Sequence, residues 1–321
     1  MKNSSVSSFI LCLPFLFMAI SCSNHEPSKE TVAPASASSS IVGGEEITSL
    51  NSEIGKHTVA ILANGGACTG TIIRNDLILT AAHCVHKVAY KNQIYFTLNI
   101  EDTMMEGDPR AYVSLVDPET GEKFILHKSA RLASKVIVND LYNENEEEAS
   151  VENDTGDLAL LKFEGGLPAG YQPARLLDNT KLLKKDASIQ IAGFGAVETG
   201  VEEISEQDRH RYEMLGSVVV EDEGKLYAIS YAQGSQLKTA EVKYEEEAPN
   251  EIVAFSQNEN GAACSGDSGG PAFIKNNNGE YLLFGVAAMS DITCSSTSYY
   301  TNVTSPKSKK WLNQSIEQMD R

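Results

Sequence analysis

The stretch "NGAACSGDSGGPAF", Asn260 to Phe273, sets Ser268 among four glycines, with one aspartate beside it. Glycine is costly in regular structure, so a cluster marks backbone that must bend sharply or approach something closely. One reading is a surface turn. The other is a nucleophile loop whose N–H groups point at a reacting oxygen. A serine hydroxyl attacks poorly until a neighbouring base takes its proton, so the second reading needs a histidine.

There are six: His25, His57, His83, His86, His127 and His210. His25 falls in a polar stretch, and His57, His86, His127 and His210 sit near strand edges or charged loops without special context. His83 differs. It follows the apolar run "LILT", two small residues (Ala81, Ala82) allow a tight turn, and Cys84 comes next. Cys84 can staple that turn to Cys68, 16 positions upstream, a closure worth about 3 kcal/mol in the chain-entropy model. A base also needs a partner to orient it and to stabilise the imidazolium. Asp157, heading the apolar run "LALLKF", is a candidate once the other two exist, and otherwise an ordinary polar residue at a strand start.

The elements that must carry these groups are short. "HTVAIL", "TGTIIR", "DLILTA", "QIYFTLNI", "AYVSLV", "KFILH", "KVIVN", "LALLKF", "SIQIAGFG", "SVVVED", "KLYAISY", "EIVAFS", "GPAFIK" and "YLLFGVAAM" are runs of strand length rich in Val, Ile, Tyr, Phe and Thr. This is the pattern of an all-β sandwich or barrel pair, with Asn75–Asp76 as a hairpin turn. No internal repeat of fixed period is visible. One segment reads as helix: Ser305 as N-cap, Pro306 as first helical residue, then Trp311, Leu312, Ile316 and Met319 near helical spacing.

The chain of 321 residues is 41% apolar and carries a formal net charge of −18. That size can bury a substantial core, and that charge argues against nucleic acid as a partner. Two acidic stretches, Asn143–Asp154 and Lys243–Glu251, lack the ordered ligand spacing of a Ca²⁺ loop and read as solvated loops. Lys2 followed by the apolar run Phe9–Ile20 reads as an export signal, residues 1–21. "AISC" at its end resembles the lipobox of bacterial lipoproteins, with Cys22 as the lipidated residue; ordinary cleavage is the alternative. Residues 22–40, rich in Ser, Ala and Pro, read as a flexible tether. Setting aside Cys12 and Cys22, four cysteines remain in a compartment that permits disulfides; no pair has the CxxC spacing of a zinc site.

"IVGG", "TAAHC", "DLALL" and "GDSGGP" occur in the order and setting of the trypsin- and chymotrypsin-like serine proteases, and "IAGFG" resembles that family's Gly-aromatic-Gly element. The resemblance runs from Ile41 to the C-terminal helix. It implies two six-stranded antiparallel Greek-key β-barrels, about 41–170 and 171–303, with a helix over about 305–319 and the site between the barrels. It implies Ser268 as nucleophile, His83 as general acid–base, Asp157 as its orienter, and the N–H groups of Gly266 and Ser268 as an oxyanion hole. It implies a second disulfide, Cys264–Cys294. No cofactor or metal is expected, and activity should fall on the acid side as His83 protonates.

The resemblance also implies a zymogen. Cleavage before Ile41 frees an ammonium that pairs with Asp267, since a buried carboxylate without a partner is expensive. Ser40 precedes that bond, so the activating protease is not an obvious trypsin-like one. With Cys22 lipidated, the same cut severs the membrane tether. The specificity floor falls at Ala262, which offers no charge to Arg or Lys. Ser290 and Ser298 fall at wall positions, which favours small or medium uncharged side chains. Ala288 and Met289 replace the family's usual serine and tryptophan. The separation of 74 positions from His83 to Asp157 implies inserted loops around 101–130. The resulting expectation is an exported endopeptidase, in the cell envelope or released, acting on peptides or proteins. A non-catalytic adhesin or decoy on the same scaffold is the rival, and a preference for esters or one narrow target is a second.

Overall fold

The computed structural model describes residues 41–63, 66–85, 92–104, 108–116, 121, 123–142, 156–222, 224–247, 251–258 and 261–321. The export signal, the tether with Cys22, His25, His86 and the acidic stretch Asn143–Asp154 lie outside the described residues.

Twelve strands make two barrels. The first contains β1 (Thr58–Ala63), β2 (Gly66–Arg74), β3 (Leu77–Thr80), β4 (Gln93–Tyr95), β5 (Ala130–Val138) and β6 (Ala159–Phe163). Its ring runs β1-β2-β3-β6-β5-β4 and closes on β1. The second contains β7 (Ser188–Gly193), β8 (Lys238–Glu247), β9 (Ile252–Ser256), β10 (Pro271–Lys275), β11 (Tyr281–Ser290) and β12 (Thr297–Asn302). Its ring runs β7-β8-β9-β12-β11-β10 and closes on β7. The two rings have the same order, so the topology repeats although the sequence does not. Within the two rings every pairing is antiparallel, and closure leaves no free barrel edge.

Residue patterns explain the layers. In β8, Lys238, Ala240, Val242 and Tyr244 are buried while Glu241, Lys243 and Glu245 are exposed, the two-residue period of a half-buried strand. The acidic stretch starting at Lys243 is therefore not wholly a loop: its first half is barrel strand, its charges on the outer face. In β3 every residue is buried. Ile61, Ile72, Ile78, Leu79 and Leu160 fill the first barrel; Ile189, Ile191, Val242, Phe255, Phe284 and Tyr300 fill the second. Ile41 joins the second core, and Glu45–Glu46 pair with β8. The first described residues thus belong to the second barrel rather than the first.

Four of the apolar runs lie outside the barrels. Tyr112–Val116 and Lys123–His127 form a two-stranded ribbon between β4 and β5. Ala196–Ile204, Lys225–Gln233 and Val218–Asp222 form a three-stranded sheet, with a short helix at Arg209–Met214, between β7 and β8. That sheet leaves from Gly193 and returns at Lys238, which are ladder partners.

The last helix, Pro306–Met319, begins at Ser305, whose hydroxyl accepts from the Ser308 N–H at 3.2 Å and donates to the Glu251 carboxylate. Trp311, Leu312 and Met319 are buried in the cluster that fills the first barrel. Arg74 at the end of β2 grips Asp320 at 2.6 Å, and Lys162 of β6 donates to the Met319 carbonyl at 2.5 Å. The helix leaves one barrel and fastens to the other. Among the described residues no helix is long and apolar enough to cross a membrane. Ser305→Ala should cost about 1 kcal/mol, seen as a lower urea midpoint at unchanged slope; an unmoved midpoint contradicts the capping role.

Candidate active site

His83 lies on the short helix Ala82–Val85 that follows β3, and Asp157 lies just before β6, the neighbour of β3. The ladder between those strands brings the two together. Asp157 accepts from the His83 backbone N–H at 2.9 Å through Oδ1. Through Oδ2 it accepts from His83 Nδ1 at 2.6 Å. An ionised carboxylate can only accept, so Nδ1 carries the proton and Nε2 keeps its lone pair. Burial works to lower the His83 pKa, but the charge and hydrogen bond of Asp157 outweigh it and hold the pKa above its ordinary value. Both Asp157 bonds come from His83 itself.

Ser268 arrives from the other barrel, on the turn before β10. Its carbonyl oxygen lies 3.6 Å from Cys84 Sγ, which is 3.7 Å from His83 Nε2. The Ser268 hydroxyl makes no hydrogen bond among the described residues. Such contacts are often long in unliganded enzymes and tighten with substrate.

The turn itself is unusually well determined. Ser265 O accepts from Ala196 N–H at 2.6 Å, and Asp267 O accepts from Gly270 N–H at 2.9 Å. Ser268 O accepts from Thr69 N–H at 2.8 Å, and Gly266 O accepts from the Thr69 hydroxyl at 3.2 Å. The N–H groups of Asp267 and Gly269 donate to Cys264 O and Ala287 O. Three N–H groups of this turn have no protein acceptor among the described residues: that of Ser265, an exposed residue, and those of Gly266, which is buried, and Ser268, which is half-buried. Gly266 sits at φ 95°, and a Cβ there would stand 2.8 Å from Gly195 Cα, so glycine is required on both counts.

Asp267 is fully enclosed. It accepts from Gly195 N–H and Cys264 N–H, each at 2.8 Å. Burial outweighs these two bonds and pushes its pKa up to about 7. The Ile41 side chain is buried nearby in sequence terms to the Val42–Ala262 ladder pair, and Lys238 donates to the Gly44 carbonyl.

A small pocket of ≈ 70 Å³ opens beside Ser268, walled in part by Ala263, Ser265, Ala288, Met289 and Ser290. Of the three residues expected to set specificity, Ser290 lines it. Ala262 and Ser298 are fully buried and do not line it, and the Ser298 hydroxyl has no hydrogen-bond partner among the described residues. The disulfides Cys68–Cys84 and Cys264–Cys294 are both formed. The first bears on one cluster: Cys68, His83 and Cys84 lie closely enough together to ligate an ion, but oxidised sulfurs are not thiolate ligands. His57, away from the site, is a packing residue with Nδ1 2.6 Å from Gln172 O. Thr69 was not singled out by its sequence; nothing in "ACTGT" signals partners almost two hundred positions away.

A sequence model of the family described as Trypsin matches residues 41–312. The chain is 26% identical to "Serine protease SP24D" of Anopheles gambiae over 243 residues, which is 75% of this chain and 69% of that protein. The solved structure of neuropsin, described as a serine protease expressed in the limbic system of mouse brain, matches with a TM-score of 0.54. Identity there is 16%, covering 85% of this chain and 98% of that one, so this likeness is one of fold.

In Asp157→Asn the carboxylate's charge is gone and burial remains. The His83 ring, followed by proton NMR, should then titrate below about 6.5, having titrated above it in the unmodified protein. An unchanged midpoint would show that Asp157 does not govern this imidazole.

Proposed function

Because this chain belongs to the trypsin family of serine proteases, we propose that it cleaves peptide bonds through Ser268, His83 and Asp157. The observation that carries this reading is the pair of uncommitted amides, Gly266 and Ser268, beside a histidine already held by a carboxylate. In the first step His83 Nε2 takes the Ser268 proton as Oγ attacks the substrate carbonyl carbon. The carbonyl oxygen becomes an oxyanion and takes the two free N–H groups. Collapse breaks the C–N bond, and the leaving amine departs with the proton from His83. Water repeats the sequence in reverse and frees the acid. Each oxyanion donor is worth about 3 kcal/mol in such sites.

The pocket supports a small or medium uncharged residue before the cut bond. Its ≈ 70 Å³ is under half the ~150 Å³ that accommodates a benzene ring. The one carboxylate on its wall, Asp267, is turned to the amides of Gly195 and Cys264, which leaves nothing to pair with Arg or Lys. Labelling by a serine-directed phosphonate, followed by a peptide-library profile of protein cut before Ile41, tests both points. Ser268→Ala should lose labelling and on the order of 10⁶-fold in turnover, and unmodified enzyme should prefer Ala, Val or Ser to Phe or Arg. Unlabelled protein favours the non-catalytic rival.

The same reading makes the uncut chain a zymogen. Asp267 is buried without a cation among the described residues, and Ile41, a β-branched residue, is held at φ 56°, a costly conformation. Cutting the bond before Ile41 abolishes that torsion and creates an ammonium suited to Asp267. If Cys22 carries lipid, the cut also releases the enzyme from a membrane; active enzyme still joined to lipid through an intact tether overturns that coupling. The pH dependence has a definite sign. A carboxyl whose folded pKa lies above its unfolded value of about 3.9 makes the folded state bind an extra proton, so stability falls as pH rises between about 4 and 7. Measured against Asp267→Asn, uncut protein should lose stability across that window and cut protein should not. Parallel curves for the two forms would refute the pairing.

A further inference from the structure

Thr69 is fully buried on β2, in the barrel that does not carry the nucleophile. All three of its polar groups are committed. Its N–H donates to Ser268 O at 2.8 Å. Its carbonyl accepts from the Thr80 hydroxyl at 2.8 Å, which fixes it to β3, the strand leading to His83. Its hydroxyl accepts from Phe194 N–H at 3.1 Å and donates to Gly266 O at 3.2 Å. A hydroxyl has one proton and two lone pairs, so this geometry uses the group in both directions.

The Gly266 bond matters most. The peptide joining Gly266 to Asp267 is pinned at both ends, its carbonyl by the Thr69 hydroxyl and its N–H by Cys264 O at 3.0 Å. Gly266 lacks a side chain to limit its torsions. Fixing the plane on one side of its Cα therefore limits where its own N–H, on the other side, can point. The Phe194 bond works on the same target from behind, because Gly195 Cα is what a Cβ at Gly266 would strike, and Gly195 N–H holds Asp267.

We propose that the Thr69 hydroxyl is a positioning residue for the oxyanion hole, aiming the Gly266 N–H from the opposite barrel. The proposal rests on the reading of Ser268 as nucleophile. Its signature is a transition-state effect. An interaction realised only as the oxyanion forms lowers kcat when lost and leaves ground-state binding alone.

The test compares Thr69→Val, which keeps the shape and loses the hydroxyl, with Thr69→Ser, which keeps the hydroxyl. Both are cut before Ile41 and assayed on a short peptide anilide. Thr69→Val should lose about tenfold in kcat with KM unchanged, a fraction of the 10²–10³-fold cost of deleting such a donor outright. Its affinity for a peptide aldehyde, whose addition product places an oxyanion in the hole, should fall by the same factor. Thr69→Ser should restore both. Should Thr69→Val fail to fold, Thr69→Ala removes the hydroxyl without bulk and carries the same expectation. Wild-type kcat in the hydroxyl-free variant, or a Thr69→Ser variant equally impaired, overturns the inference. So does a kcat loss with undiminished aldehyde affinity. Ser268→Ala run alongside separates the layers: if it is inactive, a failure at Thr69 counts against Thr69 alone. If Ser268→Ala stays active, the nucleophile assignment falls and takes this inference with it.

Discussion

Two backbone amides, at Gly266 and Ser268, have no protein acceptor among the described residues. A donor without a protein partner forgoes about 0.5–1.5 kcal/mol of net stabilisation, which a chain left to itself would gain by bonding them internally. They stay available because each surrounding group is spoken for. Four successive carbonyls of the turn are bonded, two of them to Thr69 of the other barrel, and the two intervening N–H groups are bonded as well. The glycines permit the path, the disulfide at Cys264 ties down its start, and Asp267 fills the space beneath it. Preorganisation of this kind places the cost in folding, where a large core can absorb it, and not in the chemical step.

The two barrels divide the work. The first supplies His83 and Asp157 from neighbouring strands, β3 and β6, so their spacing is set by a ladder and is insensitive to distant change. The second supplies Ser268 and the pocket. Among the contacts that align one half with the other are the Thr69 bonds, the packing of Cys84 against Ser268, the bonds of Leu98 and Ile100 to the Ser235–Leu237 segment, and a final helix that starts from one barrel and grips the other through Arg74 and Lys162.

Legibility in the sequence followed the range of the interactions. Ser268 and His83 stood out because each sits in a short string whose local chemistry is distinctive, whereas Asp157, an ordinary strand-start carboxylate by itself, became a candidate only beside them. The helix at Pro306–Met319 was readable because its cap, its proline and its apolar spacing are all local. The strand β8 was missed because small Ala240 and the charged outer face of Lys243–Glu247 mask its inward row of Val242 and Tyr244. β12 was missed because Ser, Thr and Tyr dominate it. Runs such as "SVVVED" and "KLYAISY" were recognisable as strands, but nothing local says that they form a separate sheet. Thr69 was invisible for the same reason, its partners being 125 and 197 positions away.

That separate sheet is spliced between ladder partners, Gly193 and Lys238. A shorter hairpin beyond the Ala196–Gln233 pair would keep Phe194, Gly195 and Ala196 and the bonds they make to Thr69, Asp267 and Ser265, and lengthening a connection costs little, since closure entropy grows only with the logarithm of length. Whatever recognition task such an appendage takes on, it can therefore be traded, shortened or rebuilt by evolution or by an engineer while the hydrolytic centre beside it is inherited intact.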